Sequence, residues 1–179
     1  INTLILKIFS LFLLFTAALP VFAHGVAAGD ADYIQSISGM AFLPYMYLGA
    51  KHMFTGYDHL LFLAGVIFFL YKMKDVALYV SLFAIGHSVT LLLGVLGGIR
   101  ADAYIVDAII GLSVVYKAFE NMGGFQRIGI SINTRYAVFL FGLAHGFGLS
   151  TKLQDLSIST DGLVPNMIAF NIGVEFGQL

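Results

Sequence analysis

The sequence predicts an all-α fold, a polytopic bundle of transmembrane helices, and three observations carry that prediction. Of the 179 residues, 59% are hydrophobic and 11% charged, against about 45–50% and about 25% in an ordinary soluble domain. The apolar residues fall into successive runs approaching the roughly 20 residues that cross a bilayer as a helix. Glycines recur inside those runs, among them Gly86, Gly94, Gly111, Gly142, Gly146 and Gly173, where they let helix backbones approach closely in lipid. No Pro-, Ser- or charge-rich linker divides the chain, so one domain is expected.

The elements follow in order. Residues Ile1–Ala23 carry one early positive charge, Lys7, an apolar stretch Ile8–Leu19 and small residues to Ala23. This reads as a secretory signal peptide cleaved after Ala23, with an uncleaved first transmembrane helix as the alternative. Cleavage leaves residues 24–179 as the transmembrane domain, its N-terminus outside. Five spans are then expected: Pro44–Tyr71, Val76–Leu96, Ala103–Met122, Arg135–Ser150 and Leu163–Leu179. The first is long enough to tilt or to begin in the interface, and the fourth is short enough to be broken or tilted by its glycines. The last run stops at Leu179 while still apolar, so a sixth span is expected beyond it. Lys72, Lys74, Lys117, Arg127 and Arg135 fall on the inner side and Arg100 and Lys152 on the outer, with Lys51 near the outer interface. That bias agrees with an external N-terminus.

Charge and cysteine usage narrow the chemistry. The net charge is −1 with no dense basic run, which leaves no electrostatic footprint for nucleic acid. With no cysteine, thiolate metal sites are excluded, and any metal must use His, Met or carboxylates.

Ionisable groups in hydrocarbon are costly unless paired, hydrated or metal-bound, so each is a functional hypothesis. The first span carries His52, Asp58 and His59 in an H-x5-D-H pattern; the second carries His87-Ser88 and Thr90. The third carries Asp107 and Glu120, the fourth His145, and the fifth Asn171, Glu175 and Gln178. At 1.5 Å per residue, His52 lies at the interface, His145 about 8 Å, His59 about 10 Å, His87 about 14 Å and Glu175 about 18 Å from the outer ends. His52 and His59 are two turns apart, about 10 Å on a straight helix. They are either successive stations on a path or neighbours across a local break at Gly56. Asp58 projects about 100° from His59, which suits a ligand beside it, or a partner of another His, better than a direct partner of His59. Asp107 is expected to cap the third helix rather than to ligate. Glu120 is assigned to an ion pair with Lys117. Ser88, Thr90, Asn171 and Gln178 are expected to bond neighbours or support ligands. The aromatic residues are expected to fill the bundle. Imidazole plus carboxylate without thiolate suits Ni²⁺, Zn²⁺, Co²⁺ or Cu²⁺ more than Mg²⁺ or Ca²⁺.

At these residues the chain resembles the HupE/UreJ family of integral-membrane proteins, over essentially its whole length after the signal. The resemblance rests on His52, Asp58 and His59, on Gly86-His87-Ser88-x-Thr90, on Glu120-Asn121, on Phe141-Gly142-Leu143-x-His145-Gly146-x-Gly148, and on Phe170-Asn171-x-Gly173-Val174-Glu175-x-Gly177-Gln178. It implies a nickel or cobalt permease of a bacterial-type inner membrane, and a His-bearing mature N-terminus, here His24. The better-known nickel permeases resemble F-H-G-x-A-H-G-x-E in a later span. Here Phe141 stands at the first His and Gly148 at the Glu, so the metal's identity does not carry over.

Three functions follow as expectations. The first is a transition-metal permease using His52, Asp58, His59, His87, His145 and Glu175 as inner stations and His24 as an external capture site. An intramembrane zinc hydrolase with Asp58 or Glu175 as base is the second; no H-E-x-x-H signature is present. The third is a noncatalytic membrane subunit whose polar network only holds its bundle. The expected partners are the metal ion and membrane lipid, with a homo-oligomer or larger membrane complex as a further expectation.

Overall fold

The computed structural model describes residues 28–156 and 158–178; the expected signal Ile1–Ala23 and His24 lie outside them. The described regular elements are all helices: α1 (Ala28–Ser36), α2 (Phe42–Thr55), α3 (Tyr57–Ile67), α4 (Met73–Gly97), α5 (Ala103–Asn121), α6 (Gly124–Arg127), α7 (Thr134–Gln154) and α8 (Leu163–Gln178). The short α1 and α6 were not expected from hydropathy.

The first apolar run does not stay one helix. At Gly56 the backbone turns to φ −81°, ψ 96°, an extended ψ that interrupts the helical ladder. A Cβ there would stand 2.6 Å from His59 Nδ1 and 3.2 Å from the His52 carbonyl oxygen, so the break is tight enough to require glycine. Thr55 donates its hydroxyl to the Lys51 carbonyl at 2.9 Å, satisfying an acceptor at the broken end. The two halves then choose different partners: α2 packs along α8, and α3 packs along α5.

Elsewhere, local chemistry sets the boundaries. Gly98 ends α4 in the left-handed region at φ 63°, its N–H returning to Gly94 O, a conformation glycine adopts without a Cβ penalty. Asp102 caps α5, accepting from the N–H groups of Tyr104 and Ile105 at 2.9 and 3.1 Å. Asp107 therefore does not cap that helix, as had been expected; it lies a full turn inside α5. Asn133 caps α7 through Arg135 N–H. Helix α7 runs unbroken for 21 residues, longer than its glycines suggested, because those glycines are spent on packing.

The most extensive contacts are α4 with α7 and α2 with α8. Along the first pair, Phe83 meets Gly142, His87 meets Gly146 and Gly94 meets Ser150. Along the second, Gly49 meets Phe170, and Gly177 meets Ala50 and Met53. Numbers rise together in both pairs, so each pair is parallel. Helices α5 and α7 run antiparallel, with Glu120 against Thr134 and Tyr116 against Phe141. A Cβ on Gly142 would collide with the Phe83 carbonyl, and one on Gly173 with the Met46 carbonyl. The small residues therefore bring backbones together, as expected in lipid; Gly111, with nothing within 4 Å of its Cβ position, is not part of that packing.

The outer surface is strongly apolar, with Leu43, Phe54, Phe68, Leu112, Leu140 and Phe176 all exposed. Among the described residues, one helix, α4, is both long and apolar enough to cross a membrane by itself. The expected five spans thus reduce to one clear candidate. The break leaves α2 and α3 at 14 and 11 residues, α5 carries Asp107, Lys117 and Glu120, and α7 carries Arg135, His145 and Lys152.

Candidate metal centre

Three spans expected to carry histidine supply four imidazoles to one interior region, because the break at Gly56 folds His52 and His59 toward each other. Their ring centroids are 4.9 Å apart, half the spacing of a straight helix. His87 of α4 lies 6.0 Å from His52 and 5.9 Å from His59, and His145 of α7 lies 4.8 Å from His59. His59, His87 and His145 are fully buried. One nitrogen each from His52, His59 and His87 falls within 4.8 Å of the others. Metal–nitrogen bonds of about 2.0–2.1 Å require these rings to close by about an ångström. His145 stands beside this trio and not within it.

Two of the rings have a fixed tautomer. His145 Nδ1 faces the Phe141 carbonyl at 2.7 Å; a carbonyl only accepts, so Nδ1 carries the proton and Nε2 the lone pair. His59 Nδ1 faces Asp58 Oδ1 at 3.1 Å, which fixes the same tautomer. Asp58 is thus the direct partner of His59, correcting the expectation drawn from an ideal helix. Both residues follow the extended Gly56 in the first turn of α3, where the carboxylate also complements the helix dipole. A carboxylate bonded to the far nitrogen of an imidazole orients the ring and raises its basicity as a ligand.

Phenylalanines enclose the imidazoles. Phe83 stands 4.9 Å from His145, 6.0 Å from His59 and 6.4 Å from His87; Phe62 is 5.9 Å from His145, and Phe170 6.0 Å from His52. They do more than fill the bundle: they lower the local dielectric around the nitrogens. Local spacing could have found two of them, Phe83 four before His87 and Phe62 three after His59, but not Phe170, which comes from a distant helix.

The remaining candidates have other hydrogen-bond partners. Glu175 accepts a hydrogen bond from Ser81 at 2.7 Å, and Ser81 is six positions, about 9 Å of helix, from His87. Thr90 donates to the Leu143 carbonyl at 2.7 Å, tying α4 to α7. Asn171 donates to Met167 O, and Gln178 to Met53 Sδ; Ser88 is half-buried beside His87. Glu120 pairs with Lys117 at 2.6 Å and accepts from Thr134 at 2.6 Å, as the structural assignment required. Sequence reasoning missed Asn166, which accepts from Ala41 N and donates to Gly39 O, fastening the α1–α2 turn to α8.

The fold and this interior define a class: a helical bundle with an apolar exterior and a histidine cluster able to hold a metal ion. The chain belongs to the HupE/UreJ family, whose model, described as HupE / UreJ protein, matches residues 28–179. That family is associated with nickel and cobalt transport in bacterial membranes. No curated protein and no solved structure matches the chain.

Proposed function

We propose that this protein is a membrane permease for a divalent transition-metal ion of the nickel or cobalt type, taken up as substrate by His52, His59 and His87, with His145 as a fourth imidazole. The observation that carries this reading is the convergence of three nitrogens from α2, α3 and α4 within 4.8 Å, each helix reaching the same point by a different route through the chain. A His/carboxylate set without thiolate holds such ions and exchanges them, because it keeps coordination positions for water and is not a closed sulfur cage. In this reading Asp58 positions His59.

The path through the membrane consists of five spans, α2 with α3 counting as the first, after a secretory signal at 1–23 and with the imidazoles in the outer half. Parallel α2/α8 and α4/α7 and antiparallel α5/α7 support it, since these are the relative directions that alternate crossing of spans one to five demands. The broken first span matches a general device of transporters, in which helix ends at mid-membrane line a substrate site.

The test is Co²⁺ or Ni²⁺ uptake into liposomes containing the purified chain, read by an internal metal-sensitive dye. Wild type is expected to load the vesicles and His59→Ala to lower the rate at least tenfold. Equal rates for the two proteins defeat the assignment.

A further inference from the structure

Resting on the permease reading, we infer that Glu175, Ser81 and Asn171 form a second cation station, built from oxygen donors and separate from the imidazole cluster. Asn171 and Glu175 are spaced i, i+4 and share one face of α8. Glu175 accepts a hydrogen bond from the Ser81 hydroxyl at 2.7 Å, which brings α4 to that face.

The amide orientation of Asn171 is dictated by its partner. Asn171 Nδ2 lies 3.0 Å from the Met167 carbonyl, which can only accept, so the NH₂ group faces it and Oδ1 points away. Asn171 Oδ1 is buried and receives no hydrogen bond among the described residues. Buried acceptors without donors are uncommon and call for an explanation. Here one stands a turn from a half-buried carboxylate on the same helix face, an accumulation of lone pairs and negative charge that a divalent cation, with its remaining waters, would satisfy.

The two stations differ in chemistry and level. Ser81 precedes His87 by six residues, so the oxygen set lies about 9 Å along α4 from the imidazoles. First-row ions such as Ni²⁺ and Co²⁺ bind imidazole nitrogen more firmly than carboxylate, hydroxyl and amide oxygens. An ion passing from the nitrogens to the oxygens therefore enters a looser site, and loose, multi-site binding is what lets a permeating ion leave.

Calorimetric titration of the purified full chain with CoCl₂ tests this. Wild type is expected to show two sites, the second weaker by tenfold or more. Glu175→Gln should keep the tight site and lose the weak one, and His59→Ala the reverse. Asn171→Leu, which retains the carboxylate and its Ser81 bond, should also weaken the second site by tenfold or more, and it serves if Glu175→Gln fails to fold. In liposomes, either α8 variant should lower Co²⁺ uptake at least tenfold with the tight site intact. One wild-type site, removed by His59→Ala and untouched by both α8 variants, overturns the second station and leaves the permease reading standing. Loss of the tight site in a folded Glu175→Gln also overturns it, because Glu175 would then belong to the imidazole centre. A wild type that binds no Co²⁺ overturns both.

Discussion

Replacing Gly142 by alanine isolates what the α4/α7 contact contributes. A Cβ at Gly142 would stand 3.2 Å from Phe83 Cα and would overlap the Phe83 carbonyl oxygen. Both of these atoms are backbone, so no side chain can rotate to make room. The helices must part by about an ångström, and overpacking of this kind costs about 1–3 kcal/mol. The displacement reaches the site directly, since His145 is three residues beyond Gly142 and His87 four beyond Phe83. Ligand distances in metal sites tolerate only about 0.2 Å. Gly142→Ala is therefore expected to lower the melting temperature and to weaken Co²⁺ binding at least tenfold, about 1.4 kcal/mol. Gly111→Ala is the control: nothing lies within 4 Å of its Cβ position, and relief of glycine's conformational entropy makes that change neutral or stabilising by up to about 1 kcal/mol. Thermal unfolding in detergent and Co²⁺ titration read both effects. If Gly142→Ala behaves like Gly111→Ala in both assays, close backbone contact does not hold the imidazoles in place.

Three further outcomes are expected. Asp58→Ala releases the His59 ring and should weaken Co²⁺ binding about 10–100-fold, the usual cost of losing a ligand's hydrogen-bonding partner, as measured by titration at fixed pH. Lys117→Met removes the cation beside the Glu120 carboxylate, whose side chain is 13% exposed and which keeps the Thr134 hydroxyl, and should cost about 3 kcal/mol, the low end for a broken buried pair. The double variant Lys117→Met/Glu120→Gln should recover much of that, a comparison made by thermal unfolding. Adding Co²⁺ at about a hundred times its dissociation constant should stabilise the chelator-treated protein by about 2.7 kcal/mol, seen as a higher melting temperature, and His59→Ala should lose most of that gain.

The positions of α4, α5, α7 and α8 were legible within a few residues, because a long apolar run bounded by charges or by Asp, Asn and Gly caps has few alternatives. The break at Gly56 was legible only as one of two options. Spacing alone could not tell a straight helix with two separated histidines from a bent one with adjacent histidines; the extended backbone at Gly56 decides it. Asp58 was misjudged for the same reason: the 100° projection applies to a continuous helix, and Asp58 and His59 occupy the first turn after an interruption. Asp102 caps α5 in place of Asp107, because capping is decided by which residue lies immediately before the first helical N–H. The partners of Glu175 and Asn166 come from elements 94 and 125–127 positions away, and no local pattern encodes such pairings.

The parallel pairing of helices has a mechanical consequence. His52 rides on the α2/α8 rod, whereas His87 and His145 ride on the α4/α7 rod, and the two rods touch each other far less than their own members do. His59 sits on the short α3, which follows the first rod across the Gly56 joint. In the proposed permease, an ion gripped by all three parts would act as a rivet between bodies with few other contacts, so sliding of one rod past the other would register first as a change in grip on the cargo.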